Sequence, residues 1–277
     1  MMIVSTLDEL RTARLLLDGT LGLVPTMGYL HEGHLSLTRR AKAECKYTIV
    51  SIFVNPTQFA PTDDLSKYPR DLERDLRLLE SVGVDLVWTP TPEVMYPPSF
   101  QTWVEVEGMT KPLEGAVRPV HFRGVTTVVA KLFNAVQPTK AYFGQKDAQQ
   151  VAVIRQMTRD LNFPIEIVVC PIVREPDGLA MSSRNVYLDA KQRKAATVLF
   201  RALSAAKDEF EKGEHDAEKL RKKMREVIEG EPLAQLQYVS CADYDMLDEL
   251  QMVNGKTLLS MAVYFGKTRL IDNFVLE

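Results

Sequence analysis

Over roughly its first 175 residues the chain alternates short apolar runs with amphipathic stretches. The apolar runs lie at 22–26, 47–54, 84–89, 140–144 and 165–173, and they are rich in β-branched residues. Near-continuous apolar runs of this length predict strands covered on both faces, as in a parallel sheet. Helical periodicity fills the intervals, at about 34–45 and at 65–83. In the second of these Leu72, Leu76 and Leu79 share one face, and Gly83 is placed to end the helix. Two more helices are predicted over 121–136 and 147–162. Strand and helix in strict alternation predict an α/β fold, a Rossmann-like doubly wound parallel sheet with right-handed crossovers.

The texture changes after Pro176-Asp177-Gly178. A long helix is expected from about Asp189 to Lys212 and a charged one from about Asp216 to Glu229. Strands are expected within 235–245 and 258–276. This reads as a smaller C-terminal α+β domain, so the chain divides into residues 1–175 and 176–277. Composition adds little to that picture but excludes some partners. The 277 residues are 45% hydrophobic and 26% charged, with net charge −3, which suits a globular protein with a sizeable core. No basic stripe is available to neutralise a nucleic-acid backbone. No uncharged run approaches the roughly 20 apolar residues that cross a bilayer, so no membrane partner is expected. The first ten residues lack the basic start and apolar stretch of a secretion signal. Cys45, Cys170 and Cys241 lie far apart without CxxC pairing, which argues against a disulfide framework or a structural zinc site. The cytoplasm is the expected location.

Candidate chemistry collects at strand-to-helix junctions, where ligands bind in open α/β sheets. Pro25-Thr26-Met27-Gly28-Tyr29-Leu30-His31-Glu32-Gly33-His34 joins the first strand to the first helix. A helix start there offers unpaired N–H groups and a positive dipole end suited to phosphate. His31 and His34, three apart, point the same way on a first turn. This HxGH spacing resembles the signature of nucleotidyl-transferring α/β enzymes. A shared metal ion and a plain helix cap are the alternatives. Val54-Asn55-Pro56-Thr57-Gln58-Phe59 ends the second run. Phe143-Gly144-Gln145-Lys146-Asp147-Ala148-Gln149-Gln150 ends the fourth, and in it Asp147 and Gln150 also fit a capping box. Lys146 is placed to follow charge developing on phosphates, and Asp147 to hold Mg²⁺ through water. Gln58 and Gln150 are neutral amides, able to read hydroxyls and a carboxylate. Met181-Ser182-Ser183-Arg184-Asn185 offers two hydroxyls and a guanidinium to a polyphosphate, or is an ordinary polar turn before the next helix.

Six phrases in order, PTMGYLHEGH, FVNPTQF, DDLSKYPR, RPVHFRGV, GQKDAQQ and DGLAMSSRN, resemble the pantothenate synthetase family from about Leu21 to Leu188. One departure is Val120, where the family pattern has glycine. The resemblance implies an AMP-forming ligase whose substrates are ATP, with Mg²⁺, together with pantoate and β-alanine. Pantoate carboxylate attacks the α-phosphorus, and the amine of β-alanine then displaces AMP from the pantoyl adenylate. It implies phosphate contacts from His31, His34, Lys146, Ser182, Ser183 and Arg184, with His31, His34, Lys146 and Arg184 as the catalytic set. Met27, Gly144, Asp147, Val173 and Met181 complete the ATP site, Gly144 and Val173 through backbone atoms at adenine. Gln58, Gln150, Met27 and Asn55 face the organic substrates, while Tyr68, Arg118 and His121 shape the pocket. The smaller domain is implied as a lid, and the active form as a homodimer. Rival readings are another HxGH nucleotidyltransferase, a tRNA-charging enzyme, and a non-catalytic nucleotide-binding module.

Overall fold

A computed structural model describes residues 1–60 and 65–277. Asp63 and Asp64 of the DDLSKYPR phrase lie outside the described residues. The chain forms two compact units, one of Met1–Gly144 with Val153–Pro171, the other of Gln145–Ala152 with Ile172–Glu277. The sequence suggests a single cut after residue 175. The compact units instead divide at Pro171, and the stretch 145–152 goes to the second unit.

Among the described residues the first unit is built on six parallel strands, β1 (Met2–Val4), β2 (Leu21–Thr26), β3 (Tyr47–Ile52), β4 (Leu86–Trp88), β5 (Lys140–Gly144) and β6 (Glu166–Cys170). Their spatial order is β1-β4-β3-β2-β5-β6, so the winding direction switches between β2 and β5. That switch is where doubly wound sheets open a crevice at the carboxyl ends of their strands. Leu21, Leu23, Val24, Ile49, Val50 and Leu86 are fully buried, which is why these runs read as continuously apolar. The helices are α1 (Leu7–Leu15), α2 (Glu32–Glu44), α3 (Leu72–Ser81), the short α4 (Pro92–Met95) and α5 (Glu114–Val117), α6 (His121–Val136), and, from Val153 onward, α7 (Ala148–Asp160). Gly22 on β2 lets α2 approach the sheet closely. A Cβ there would sit 3.1 Å from both Ala41 Cβ and Tyr142 Cε2.

Several elements depart from the sequence pattern. Helix α3 begins at Leu72, not near residue 65, and Leu72 is exposed at its first turn. The buried positions of that helix are Leu79 and, against expectation, the carboxylate Asp75. Val120, the departure from the family pattern, precedes α6 with φ −91° and ψ −11° and an exposed side chain. That backbone is ordinary for any L-residue, so glycine is not needed there.

The second unit pairs β7 (Ala234–Asp243), β8 (Thr257–Phe265) and β9 (Thr268–Leu276) as an antiparallel sheet. The helices of this unit are α8 (Ala190–Ala195), α9 (Val198–Glu211) and α10 (Ala217–Glu229). Ala202, Leu203 and Ala206 of α9 share one buried cluster with Leu220, Met224 and Ile228 of α10 and Met261, Val263 and Phe265 of β8. The expected single helix over 189–212 is two. At the break Thr197 N and Leu199 N bond to carbonyls three residues back, Lys194 and Ala196, and the Thr197 hydroxyl also bonds to Lys194 O at 2.9 Å. A tightened turn of that kind interrupts the α-helical ladder.

Candidate active site

The HxGH segment of the first unit is a loop and a helix start held by two devices. After β2 the chain turns through Gly28 at φ +83° and Tyr29 at φ +49°, in the left-handed region that glycine favours and most residues avoid. Asp75 of α3 stabilises this turn, accepting hydrogen bonds from Tyr29 N at 2.6 Å and Leu30 N at 2.7 Å. Burial raises the Asp75 carboxyl above the usual aspartate range, although the two N–H donors and nearby Arg74 pull the other way. Sequence periodicity missed Asp75 because it stands where a helix of this kind would place an apolar residue.

The second device is reciprocal capping. His31 is the N-cap of α2, and its Nδ1 accepts from Gly33 N at 3.2 Å, a role usually filled by Ser, Thr, Asp or Asn. His34 Nδ1 accepts from His31 N at 3.3 Å, and the two ring centroids stand 4.1 Å apart. With each Nδ1 accepting, the neutral rings carry their hydrogen on Nε2. Two imidazole donors therefore sit at the N-terminus of a 13-residue helix, whose dipole favours an anion. The capping alternative is true of these histidines, and it fixes the tautomers that suit phosphate. Among the described residues no group of three His, Cys, Asp or Glu is placed to hold a metal ion.

Beyond β3 the chain makes a tight turn at Pro56–Gln58, capped by Asn55. Asn55 is buried, and both amide hydrogens are used, to Gln58 Oε1 at 3.0 Å and Gly124 O at 3.1 Å. Its Oδ1 accepts from Thr57 N, the Thr57 hydroxyl and the Tyr96 hydroxyl. The hydrogen-bonding capacity of Asn55 is thus spent within the fold, and the group it holds is Gln58. The Gln58 carbonyl accepts from His121 Nδ1 at 2.9 Å and Arg118 Nη2 at 3.3 Å. Gly124 of α6 lets the helix touch this turn, since a Cβ there would lie 2.5 Å from Thr57 O. Gln58 Nε2 points to Met27 Sδ at 3.1 Å. A thioether is a weak acceptor, easily replaced by a carboxylate or hydroxyl. Tyr68 is buried and packs edge-on against Phe59, ring centroids 5.9 Å apart. Gly144 closes β5, and a Cβ there would meet nothing within 4 Å.

The remaining candidates belong to the second unit. Lys146 and Asp147 share a 3-10 turn, Gln145–Asp147, with Lys146 Nζ 3.7 Å from Asp147 Oδ1. Helix α7 follows at once, so Gln149 is buried and Gln150 half-buried in its first turn. Val173 and Met181 face each other across a closed loop, Met181 N donating to Val173 O at 3.0 Å. Asp177-Gly178 forms its tip, with Gly178 at φ +90°. A Cβ on Gly178 would lie 2.3 Å from the Phe200 ring, so glycine is required on both counts. Ser182 caps the turn Ser183–Tyr187 by accepting from Arg184 N at 3.2 Å. Ser183 is buried and Arg184 half-buried. Arg174, Asp272 and Asn273 were not legible as site residues, yet they anchor these segments. Cys241, in the core of this unit, is pushed up to about 12 by burial and offers no thiolate nucleophile.

The sequence matches the family model described as pantoate-beta-alanine ligase over residues 2–275. The pantothenate synthetase of a Roseiflexus species is 64% identical over 277 residues, covering 100% of both chains. The crystal structure of pantothenate synthetase from Thermus thermophilus superposes with a TM-score of 0.95 at 49% identity, over 99% of each chain. That of pantoate-beta-alanine ligase from Francisella tularensis, complexed with beta-gamma ATP and β-alanine, gives 0.81 at 37% identity, over 99% of this chain and 97% of that one.

Proposed function

This chain belongs to the pantoate-beta-alanine ligase family, and from that premise we propose that it joins pantoate to β-alanine at the expense of ATP. A carboxylate oxygen of pantoate attacks the α-phosphorus, and pyrophosphate leaves with its bonding electrons. The amine of β-alanine then attacks the acyl carbon of the pantoyl adenylate. AMP departs, the amine loses a proton, and the amide of pantothenate remains. No protein nucleophile takes part, so rate comes from positioning and from stabilising charge as it develops.

The observation that carries this reading is the neutral Gln58 amide, fixed by Asn55 and resting on Met27 Sδ. A nucleotidyltransferase acting on a phosphate-bearing substrate needs cations at that point. Gln58 and Met27 are assigned to pantoate, with Gln150. Asn55, Arg118 and His121 are assigned to holding Gln58. The Nε2–H groups of His31 and His34 donate to phosphate oxygens. Lys146, Ser182, Ser183 and Arg184 take the rest of the triphosphate charge, while Gly144, Val173 and Met181 border the adenosine. Mg²⁺ arrives with ATP as part of the substrate. A single half-exposed carboxylate, Asp147, suits an ion that keeps most of its waters. Exclusion of water from the mixed anhydride is assigned to the smaller unit. A cytoplasmic homodimer without a nucleic-acid partner belongs to the same reading, and sedimentation checks the dimer. No helix among the described residues is long and apolar enough to cross a membrane.

The test follows pyrophosphate and AMP with ATP, Mg²⁺ and pantoate, before and after addition of β-alanine. The expected result is about one pyrophosphate per enzyme, then steady AMP once β-alanine is present. Folded, ATP-binding protein that releases no pantoate-dependent pyrophosphate contradicts the proposal.

A further inference from the structure

Lys146 sits on the three-residue 3-10 turn that leads into α7. Three residues of 3-10 helix provide one turn of poor hydrogen-bond geometry. What fixes it comes from β9, at the far end of the chain. Asn273 Nδ2 donates one hydrogen to Gln145 O at 3.0 Å and the other to Lys146 O at 2.9 Å. Those two carbonyls belong to the peptide planes on either side of the Lys146 α-carbon. Since peptide planes are rigid, pinning both sets φ and ψ at Lys146, and with them the direction in which its side chain leaves the backbone. The Gln145 side chain completes the clamp, donating from Nε2 to Asn273 Oδ1 at 3.2 Å and accepting from the Tyr244 hydroxyl at 3.0 Å.

The clamp has its own foundation. Asn273 is buried, and its backbone N donates to Asp272 Oδ1 at 2.8 Å. Asp272 is held bidentately by Arg174, at 2.6 and 2.9 Å, a geometry that gives direction as well as energy. Arg174 also donates to Gly178 O at 2.9 Å, at the tip of the loop that carries Ser182, Ser183 and Arg184. Its guanidinium lies about 5 Å from the ring centroids of both Phe200 and Phe274, which pack edge-on against each other. One buried network in the second unit therefore anchors both backbone segments that carry its proposed phosphate ligands. It also ties Gln145 and Lys146 to β9 within this unit.

We propose that Asn273, seated by the Arg174–Asp272 pair, is the positioning residue that aims Lys146 in the adenylation step. This rests on Lys146 stabilising the transferring phosphate, as assigned above. Asn273 makes no contact with a reacting atom in this account. It acts by removing the reorganisation that a mobile Lys146 would need during reaction.

The test is a cycle of Asn273→Ala, Lys146→Ala and the double variant, scored by single-turnover pyrophosphate formation and by KM for pantoate. Asn273→Ala is expected to slow adenylation about tenfold, the scale of losing two buried hydrogen bonds, with KM for pantoate unchanged within about twofold. Lys146→Ala is expected to lose about 100-fold or more. The double variant is expected to be no slower than Lys146→Ala, because Asn273 has nothing left to aim. Losses that multiply, to about 1,000-fold, overturn the inference and leave Asn273 a purely structural residue. So does an Asn273→Ala protein with undiminished adenylation beside a crippled Lys146→Ala. Lys146→Ala with near-normal turnover removes the assignment beneath it instead, a different failure that the same data reveal. Asn273→Ser, which keeps one short donor, carries the comparison if Asn273→Ala does not melt cooperatively.

Discussion

Gln58 and Lys146 are each assigned to a substrate, and the fold secures them by different means. The Gln58 side chain is gripped by Asn55, three residues back, and the HxGH histidines cap one another across the same spacing. Lys146 is aimed by an asparagine 127 residues further along, itself seated on a buried ion pair. Local grips are neutral, and each is worth about 1 kcal/mol. The distant one is charged and cooperative, so losing one member costs more than its own bonds. The Gln58 side chain and the histidine caps thus rest on replaceable local parts, while Lys146 depends on one network remaining intact.

The largest expected effect breaks that network. Asp272→Ala leaves Arg174, with only 17% of its side chain exposed, as an uncompensated cation. Loss of about 3–5 kcal/mol is expected in urea unfolding. In the native pair burial pushes the Asp272 carboxyl up while Arg174 pulls it back. An unshifted midpoint contradicts the dependence of the second unit on this ion pair. Next in size is Lys146→Ala, with adenylation slowed by about 10² or more, or about 2.7 kcal/mol of transition-state stabilisation. Near-normal turnover excludes Lys146 from the chemistry.

Gln58→Ala sharpens the contrast from the other side. Removing one hydrogen bond to a charged substrate is worth about 1.5–3 kcal/mol. KM for pantoate should rise by about tenfold or more, with KM for ATP within about twofold. Equal effects on both substrates contradict the pantoate assignment.

The smallest effect concerns Asp75, the buried carboxylate of the first unit. Its folded value is raised above the ordinary 3.8, chiefly by burial, so the native state binds more protons just above that pH. Stability contributed by this group therefore falls as pH rises from about 3.8 through its folded value, and is flat beyond it. Asp75→Asn cannot titrate, so the difference in unfolding free energy between wild type and variant should shrink with rising pH. A pH-independent difference contradicts the raised carboxyl.

The same division explains what could be read from the chain. Helix α6 fell where its periodicity placed it, because its pattern is local and twelve of its sixteen residues are buried. His31, His34 and Gln58 stood out because motif spacing and strand ends are local features. Asp75 and Asn273 were invisible. A carboxylate in a helical stripe and an amide in a C-terminal strand declare nothing until the fold brings them to the Tyr29–Leu30 and Gln145–Lys146 backbones. The break at Thr197 was hidden too, since nothing in its composition separates α8 from α9. Strand β1 escaped for the opposite reason, three residues being too few for a period to show.

The most direct test of the account labels both carboxylate oxygens of pantoate with ¹⁸O and examines the products by mass spectrometry. The two-step route transfers one labelled oxygen to the phosphate of AMP and leaves the other in the amide carbonyl of pantothenate, with pyrophosphate unlabelled. AMP without label, or label in pyrophosphate, contradicts the pantoyl adenylate and the roles assigned to Gln58 and Lys146 along with it.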